Sequence, residues 1–293
     1  MENTISKPTI NHWIILWALG LLWGCSFILI KRGLVCFSPI QTASLRIGIS
    51  ALAFLPMFLW HIKKVDWSKL KYYVIVGMAG SGIPAILFAN AQTQISSSIS
   101  GILNSLTPLF TFVFGIAFFN TEGTLRKFLG VLLGLAGASI LIMFGKEMGQ
   151  SGHILYGMMV VLATMCYATS VNTVKKHLQD IHPIALSAVS FQIIGIPAWI
   201  ILWKTDFIGT VQYDHEALIS LGYLFVLAII GTTLATILFF SLVQKTDALF
   251  GSMTTYIIPI MAVILGFLDG EVFSMLHVLG MACILVGVYL SRK

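Results

Sequence analysis

The chain has 293 residues, of which 58% are hydrophobic and only 10% are charged, and its mean hydropathy is +0.95. A soluble domain cannot bury that much apolar surface, so the composition excludes an ordinary soluble protein and predicts an all-α integral membrane protein. The net charge of +6 does not indicate nucleic-acid binding, because the basic residues lie at the ends of apolar runs and not along one stripe.

Apolar segments of about 20 residues follow one another along the chain, and each is long enough to cross a ~30 Å hydrocarbon core as a helix. The helix is expected because lipid offers the backbone no hydrogen-bond partner. The ten predicted helices, spans 1 to 10, cover residues 13–31, 40–60, 71–91, 98–119, 125–144, 154–174, 183–203, 217–240, 247–267 and 274–291. Prolines within the spans are expected to kink them: Pro56, Pro84, Pro108, Pro197 and Pro259.

The lysines and arginines predict the orientation of the spans. With the amino terminus inside, the inner segments hold twelve of the seventeen and the outer segments hold four, while Arg46 lies within span 2. This bias is the positive-inside pattern. Residues 1–12 are therefore predicted to be a cytoplasmic tail, and the carboxyl terminus is predicted to be cytoplasmic too.

The two halves of the chain repeat each other. Residues of the first half return 144 or 151 positions later, pairing Trp23 with Tyr167, Ser26 with Ser170, Lys31 with Lys175, Pro39 with Pro183, Gly80 with Gly231 and Pro108 with Pro259. Residues 13–145 and 153–291 are thus predicted to be two five-helix repeats. Because five is odd, the second repeat enters the membrane from the opposite side, which gives the inverted topology typical of transporters.

Several motifs resemble those of the EamA-type family of the drug/metabolite transporter superfamily. They read, in chain order, LLWGCSFILIK, SPIQTASLR ending in Arg46, NSLTPLFTFVFGIAFFNTE, LGVLLGLAGASILI, TTYIIPIMAVILGFLDGE and LGMACILVGVYL. The resemblance implies a ten-helix carrier with a central cavity that moves small metabolites, amino acids or drugs, usually outward. It does not name the solute.

Arg46 is a charged residue far from either end of its span, seven residues into span 2 and hence roughly 10 Å deep. A charge at that depth must be paired or hydrated, and such residues usually face a cavity. We predict that Arg46 binds a carboxylate or another anion with bidentate geometry, or that it is structural and either ties helix ends to backbone carbonyls or snorkels to the lipid headgroups. Its repeat partner is Ser190, so either role is asymmetric.

Other residues predicted to line a substrate site lie near mid-span or beside the kinks. Trp23 and Tyr167 are repeat partners near mid-span, and Asn104 and Thr255 are repeat partners beside Pro108 and Pro259. Polar side chains at this depth face the bundle interior, where helix-to-helix hydrogen bonding is the alternative role. The predicted substrate-binding residues are Trp23, Arg46, Phe88, Asn104, Tyr167, Thr255 and Tyr256.

Charged residues at the span ends are candidates for gates. Lys31, Glu122, Lys175 and Glu271 are predicted to close the two ends of the transport path, with anchoring of helix ends as the alternative. All eleven Asp and Glu lie at span ends or in loops, which argues against proton antiport by an embedded carboxylate and against strongly cationic solutes. The seven histidines lie near span ends, so no metal and no cofactor is expected.

These patterns together predict a secondary transporter of the inner membrane that exports a small organic solute, such as an amino acid or related metabolite, by alternating access. Its expected partners are a small-molecule substrate and the lipid bilayer, with no nucleic acid. Glycine-rich spans 5 and 10 are expected to pack tightly within a monomer, or else to form the face of a homodimer. An importer or facilitator, a membrane-embedded enzyme and a sensor are the alternatives.

Overall fold

The computed structural model describes residues 9–119, 124–144, 153–213, 215–246, 250–251, 253–271 and 274–292. Within these ranges the chain is helical, with turns between the helices and no strand. The helices, in chain order, are α1 (Ile10–Gly33), α2 (Pro39–His61), α3 (Leu70–Gly77), α4 (Ile83–Ala91), α5 (Ser97–Asn104), α6 (Thr107–Phe119), α7 (Leu125–Phe144), α8 (His153–His177), α9 (Pro183–Trp203), α10 (Phe207–Tyr213), α11 (His215–Ala228), α12 (Ala235–Lys245), α13 (Ile257–Leu268) and α14 (Met275–Arg292).

Seven helical segments are long and apolar enough to cross a membrane, judged by length and composition. Three shorter apolar helices, Phe128–Met143, Met253–Leu268 and Met275–Leu290, lie where spans 5, 9 and 10 are predicted. Large apolar side chains cover the outside of the bundle, where Trp60 is 79% and Leu268 75% exposed. Such a surface suits lipid as the surrounding solvent, and the chain is a multi-span membrane protein.

The start of α2 shows how the sequence fixes a helix end. The Ser38 hydroxyl accepts a hydrogen bond from the Gln41 backbone N–H, and the Gln41 side chain accepts one from the Ser38 N–H at 2.9 Å. Pro39 follows in the first helical turn, where its missing N–H costs little. Its repeat partner Pro183 begins α9 behind the N-cap His182. Both helices begin within one residue of the predicted position.

Two spans predicted to be continuous helices contain π-helices instead. Met78–Gly82 separates α3 from α4, and Ile229–Leu234 separates α11 from α12. The wider turn is visible in the Thr232 and Thr233 hydroxyls, which donate to carbonyls five residues earlier at 2.9 Å. Because each π-helix holds one of the repeat partners Gly80 and Gly231, the same irregularity occurs in both halves.

Two further spans are broken near their kink prolines. Span 4 is divided into α5 and α6, and span 9 begins with the 3-10 turn Met253–Tyr256 before α13. Pro108 and Pro259 cannot donate to the carbonyls four residues earlier, which belong to Asn104 and Thr255. In α2 and α9, Pro56 and Pro197 lie within unbroken helices.

The helices pack in reciprocal pairs. In the first half, α1 contacts α13, α11 and α12, and in the second half α8 correspondingly contacts α6, α3 and α4. The contact of α2 with α11 is matched by the contact of α9 with α3. The pairs α2–α9 and α7–α14 each join corresponding helices of the two halves, and α5–α13 joins parts of the corresponding spans 4 and 9. When the halves are exchanged, the contacts of α1 map onto those of α8, the contact of α2 with α11 maps onto that of α9 with α3, and the pairs α2–α9 and α7–α14 map onto themselves.

The glycines of α7 and α14 let these two helices approach closely. A Cβ added at Gly137 would lie 2.7 Å from the Gly280 carbonyl oxygen and 2.7 Å from the Cys283 Cβ. A Cβ added at Gly287 would lie 2.5 Å from the Gly130 carbonyl oxygen. The predicted tight packing of these glycine-rich helices is confirmed, and its partner is the corresponding helix of the other half.

Candidate functional site

A cavity lies at the centre of the bundle, between α1, α4, α8 and α12 and beside the breaks that precede α6 and α13. The centres of water molecules can occupy about 100 Å³ of it, room for several waters since one needs roughly 10–15 Å³. Six of the seven predicted substrate-binding residues line it, namely Trp23, Arg46, Phe88, Asn104, Tyr167 and Thr255. Tyr256 does not; its ring is half-buried and packs in the hydrophobic core.

Arg46 brings a positive charge to the cavity wall. Its Nε donates to the Thr232 hydroxyl at 2.9 Å, and that hydroxyl in turn donates to the Leu227 carbonyl. The π-helix of the second half thus holds the side chain of a first-half arginine. No Asp or Glu among the described residues pairs with Arg46 or lines the cavity. The two terminal guanidinium nitrogens make no hydrogen bond to the described part of the chain.

Aromatic rings form much of the remaining wall. The Trp23 indole N–H donates to the Gly231 carbonyl at 3.0 Å, so this donor is used within the protein, and the ring contacts Phe239 edge-on at 5.0 Å. On the other side Phe88 stacks on Tyr167 with ring centroids 6.0 Å apart. Phe88 is only 2% exposed and supports the wall more than it contributes surface.

Asn104 and Thr255 lie at the two helix breaks, 5% exposed each. The carbonyls that the prolines leave without their helical donor are satisfied by hydroxyls. Thr107 Oγ donates to the Asn104 carbonyl at 2.8 Å, and Ser105 Oγ donates to the Thr255 carbonyl at 2.9 Å. The second bond joins the two broken helices. In contrast, the side-chain oxygen Oδ1 of Asn104 has no hydrogen-bond partner among the described residues.

Two serine–glycine contacts in the cavity wall were not predicted as site features. A Cβ on Gly80 would lie 2.6 Å from Ser170 Oγ, and a Cβ on Gly231 would lie 2.9 Å from Ser26 Oγ. Each serine belongs to one half and each glycine to the π-helix of the other, and all four residues line the cavity. The sequence repeat, which pairs Ser26 with Ser170 and Gly80 with Gly231, marked these four positions. A repeat does not show, however, which residues are in contact.

The predicted gating residues Lys31 and Glu271 are in contact. Lys31 Nζ lies 2.9 Å from Glu271 Oε1 and 2.6 Å from Asp269 Oδ2. Glu271 also accepts hydrogen bonds from the backbone N–H groups of Ser97 and Ser98, at 3.0 and 3.1 Å, and from both serine hydroxyls. The carboxylate therefore joins the end of α1 to the first turn of α5.

These contacts keep Glu271 ionised. Burial alone would raise the pKa of the Glu271 carboxyl, but the hydrogen bonds from Ser98, Ser97 and Lys31 outweigh burial and hold that pKa below its ordinary value. A second cation joins the cluster through the ion pair of Arg32 with Asp269.

The residues that correspond to this cluster in the other half are described only in part. Lys175, the repeat partner of Lys31, donates to the Thr246 carbonyl at 2.7 Å. The predicted gating residue Glu122 lies outside the described residues. Nearby, Gln244 Nε2 donates to the carbonyls of Leu178 and Ile181 at 2.8 Å, which ties the ends of α12 and α8 together.

In the described part of the chain, no group of three His, Cys, Asp or Glu is placed to hold a metal ion. The four cysteines are free thiols.

Comparison with known proteins gives one family and a set of transporters. The model of the EamA-like transporter family matches residues 12–143 and again residues 154–292. An uncharacterized transporter of Archaeoglobus fulgidus is 25% identical, covering 96% of this chain and 98% of the relative. YetK of Bacillus subtilis, also named an uncharacterized transporter, is 24% identical over 99% of this chain and 89% of its own length. YedA of Escherichia coli, an uncharacterized inner membrane transporter, is 25% identical over 94% and 88%.

A solved structure described only as "Crystal structure of protein" shares the fold. It superimposes with a TM-score of 0.66 at 16% identity and covers 97% of this chain and 98% of the solved chain.

Proposed function

The chain belongs to the EamA-like transporter family, and from that premise we propose that it exports a small organic solute, an amino acid or related metabolite, across the inner membrane by alternating access. The observation that carries this proposal is the central cavity, whose wall comes from both halves and includes an arginine without an acidic partner among the described residues. A carboxylate-bearing solute would supply the missing negative charge.

The proposed architecture is ten membrane-crossing helices in two inverted repeats, residues 13–145 and 153–291. The reciprocal helix contacts and the two serine–glycine contacts support a two-fold relation between the halves. The twofold match of the family model supports two repeats. The excess of Lys and Arg on one side supports cytoplasmic termini, and the name of the Escherichia coli relative supports the inner membrane.

Arg46 combines the two roles that the sequence left open. Its Nε bond to Thr232 fixes the side chain across the two halves, while its terminal nitrogens remain available for a solute. A guanidinium held in this way is pre-organised for a bidentate contact with a carboxylate. We assign Arg46 as the carboxylate anchor, with Trp23, Phe88, Tyr167 and Thr255 as the surrounding wall.

The Lys31–Glu271 contact is assigned as the closure of the outer end, since it joins α1, α5 and the loop after α13. By the repeat, Lys175 and Glu122 would close the cytoplasmic end. A carrier needs its two closures to open in turn, and corresponding pairs at the two ends suit that requirement.

Counterflow in liposomes tests the proposal. The full-length protein is reconstituted into vesicles preloaded with a pool of amino acids, and uptake of each labelled solute is measured with and without a pH gradient. Saturable exchange of one solute class is expected. No exchange by protein of verified fold across the whole pool would refute the carrier and would favour an enzyme or a sensor.

Variants of Arg46 then test the anchor. Arg46→Ala should weaken the binding of carboxylate-bearing solutes roughly tenfold to hundredfold, the range expected for a hydrogen bond to a charged group. The affinity of Arg46→Lys should lie between those of the wild type and Arg46→Ala, because lysine keeps the charge but lacks the planar guanidinium. Arg126→Ala, which removes an exposed arginine at the start of α7, is the matched control. Equal loss for neutral and carboxylate solutes would make Arg46 a clamp alone.

A further inference from the structure

The side chain of Asn104 has hydrogen-bonding capacity that the protein leaves unused. The residue lines the cavity, is 5% exposed, and its Oδ1 has no partner within the described part of the chain. Buried amide oxygens are almost always paired. By comparison, the amide of Asn172, buried to a similar degree, donates to the carbonyls of Thr111 and Ala168 at 2.9 and 3.0 Å.

The backbone around Asn104 is fixed, so the amide cannot find a partner by shifting with it. The Asn104 carbonyl accepts from Thr107, and the next residue, Ser105, donates to the Thr255 carbonyl on the neighbouring broken helix. These two hydrogen bonds use the backbone of Asn104 and the side chain of Ser105. They hold the end of α5 in place and leave the Asn104 amide at the cavity wall. A polar side chain without a partner in the cavity wall is suited to binding a solute.

The side chains of the cavity wall limit which chemical groups the solute can carry. Arg46 supplies donors for an anionic group, and no described Asp or Glu lines the cavity to receive a cationic one. An amino group on the solute must then be received by neutral oxygens and by aromatic faces such as that of Tyr167. Among the buried side chains of the wall, Asn104 provides such an oxygen without an existing partner.

We propose that Asn104 accepts a hydrogen bond from the amino group of the solute while Arg46 binds its carboxylate, which makes Asn104 the residue that distinguishes amino acids from their deaminated analogues. This assignment rests on the proposed transport function. The repeat partners of Asn104 and Arg46 are Thr255 and Ser190, so the cavity presents the amide and the guanidinium once each. The solute is accordingly held in one orientation.

Competition counterflow with matched solute pairs tests the assignment. L-Leucine is compared with 4-methylpentanoate, and L-alanine with propanoate, each pair differing by the amino group alone. Wild-type protein should prefer the amino acid of each pair by about tenfold to hundredfold, and Asn104→Leu should reduce that ratio to near one. Asn104→Asp keeps the shape and the acceptor and should preserve the ratio or raise it.

Asn172→Leu is the matched control, because it also removes a buried amide but one already used within the protein. It should lower thermal stability and leave the solute ratio unchanged. A wild-type ratio retained in Asn104→Leu, or a ratio that collapses in Asn104→Asp, overturns the role of Asn104 while exchange itself still supports a carrier. If Asn104→Leu does not fold, Asn104→Ala takes its place, because it also removes the amide oxygen and is expected to reduce the ratio to near one. Absence of exchange in the wild type refutes the proposed function instead.

Discussion

Replacing Glu271 with glutamine removes the charge from the proposed outer closure while keeping its shape. The native carboxylate is 5% exposed and accepts from Lys31 and from the N–H and hydroxyl groups of Ser97 and Ser98. In Glu271→Gln, one oxygen can still accept from Ser97. The new amide NH2, however, points at the Ser98 N–H, which can only donate.

The cost follows from these contacts. A buried N–H left without an acceptor costs about 1–3 kcal/mol. Lys31 keeps Asp269 at 2.6 Å and is 36% exposed, so its loss of one anionic partner adds only about 0–1 kcal/mol. Together these contributions take about 1–4 kcal/mol from the closed state, and the midpoint of about 2.5 kcal/mol shifts the ratio of closed to open molecules roughly 70-fold. At that midpoint, an open state populated at about 1% would rise to more than a quarter.

Spin labels can follow this closure. The exposed positions Val35 and Gln94 lie in the turns after α1 and α4, and are changed to cysteine after the four native cysteines are replaced with serine. Electron–electron distance measurements should show one short distance in the parent protein and an added longer component in Glu271→Gln. Identical distance distributions would refute the closure.

A matched substitution and a pH series complete the test. Asp180→Asn breaks an ion pair with Lys69 whose carboxylate is 66% exposed, and it should change the distances little. The pKa of Glu271 lies below its ordinary 4.5, so the closure is stabilised above that pH and loses stability as the pH falls through the lowered value. In the parent protein, the longer distance component should therefore be absent between about pH 7 and pH 5.

The remaining predictions concern stability and are checked by thermal or denaturant unfolding in detergent. Gly137→Ala should destabilise by about 1–3 kcal/mol, because its Cβ would lie 2.7 Å from a backbone oxygen that cannot rotate away. Gly222→Ala, where no atom lies within 4 Å, should be neutral or stabilising by up to ~1 kcal/mol, and equal effects of the two alanines would contradict the packing argument. Trp23→Phe should cost about 0.5–1.5 kcal/mol, because it leaves the Gly231 carbonyl without the indole donor, and an unchanged stability would show that this bond contributes nothing.

Much of the candidate site could be predicted from the sequence because its signals are local or self-similar. A charge such as Arg46 in an apolar segment must face protein or water, and amides and hydroxyls at depth must face the interior. Those rules selected Asn104 and Thr255, and the cavity contains both. Tyr256, next along the chain, does not line it, since the turn that precedes α13 determines which way each side chain points.

The breaks in the spans needed three-dimensional information. The prolines mark where helical hydrogen bonding weakens, yet similar prolines leave α2 and α9 continuous while α5 and α6 are separated. At the two breaks, the hydroxyls of Thr107 and Ser105 satisfy the carbonyls that lose their helical donors. The two π-helices likewise have no signal in hydropathy, which depends on composition and not on the width of a turn.

The sequence by itself determined that the chain lies in a membrane, roughly where its apolar spans begin, and which positions of one half resemble those of the other, because hydropathy, capping and repeats are written along a single chain. Only the tertiary structure decided which side chains meet. Lys31 reaches Glu271 across 240 positions, and Arg46 reaches Thr232 across 186. Such pairs form because packed helices bring distant segments within hydrogen-bond range in a medium that offers no other partner, and no local pattern records that proximity.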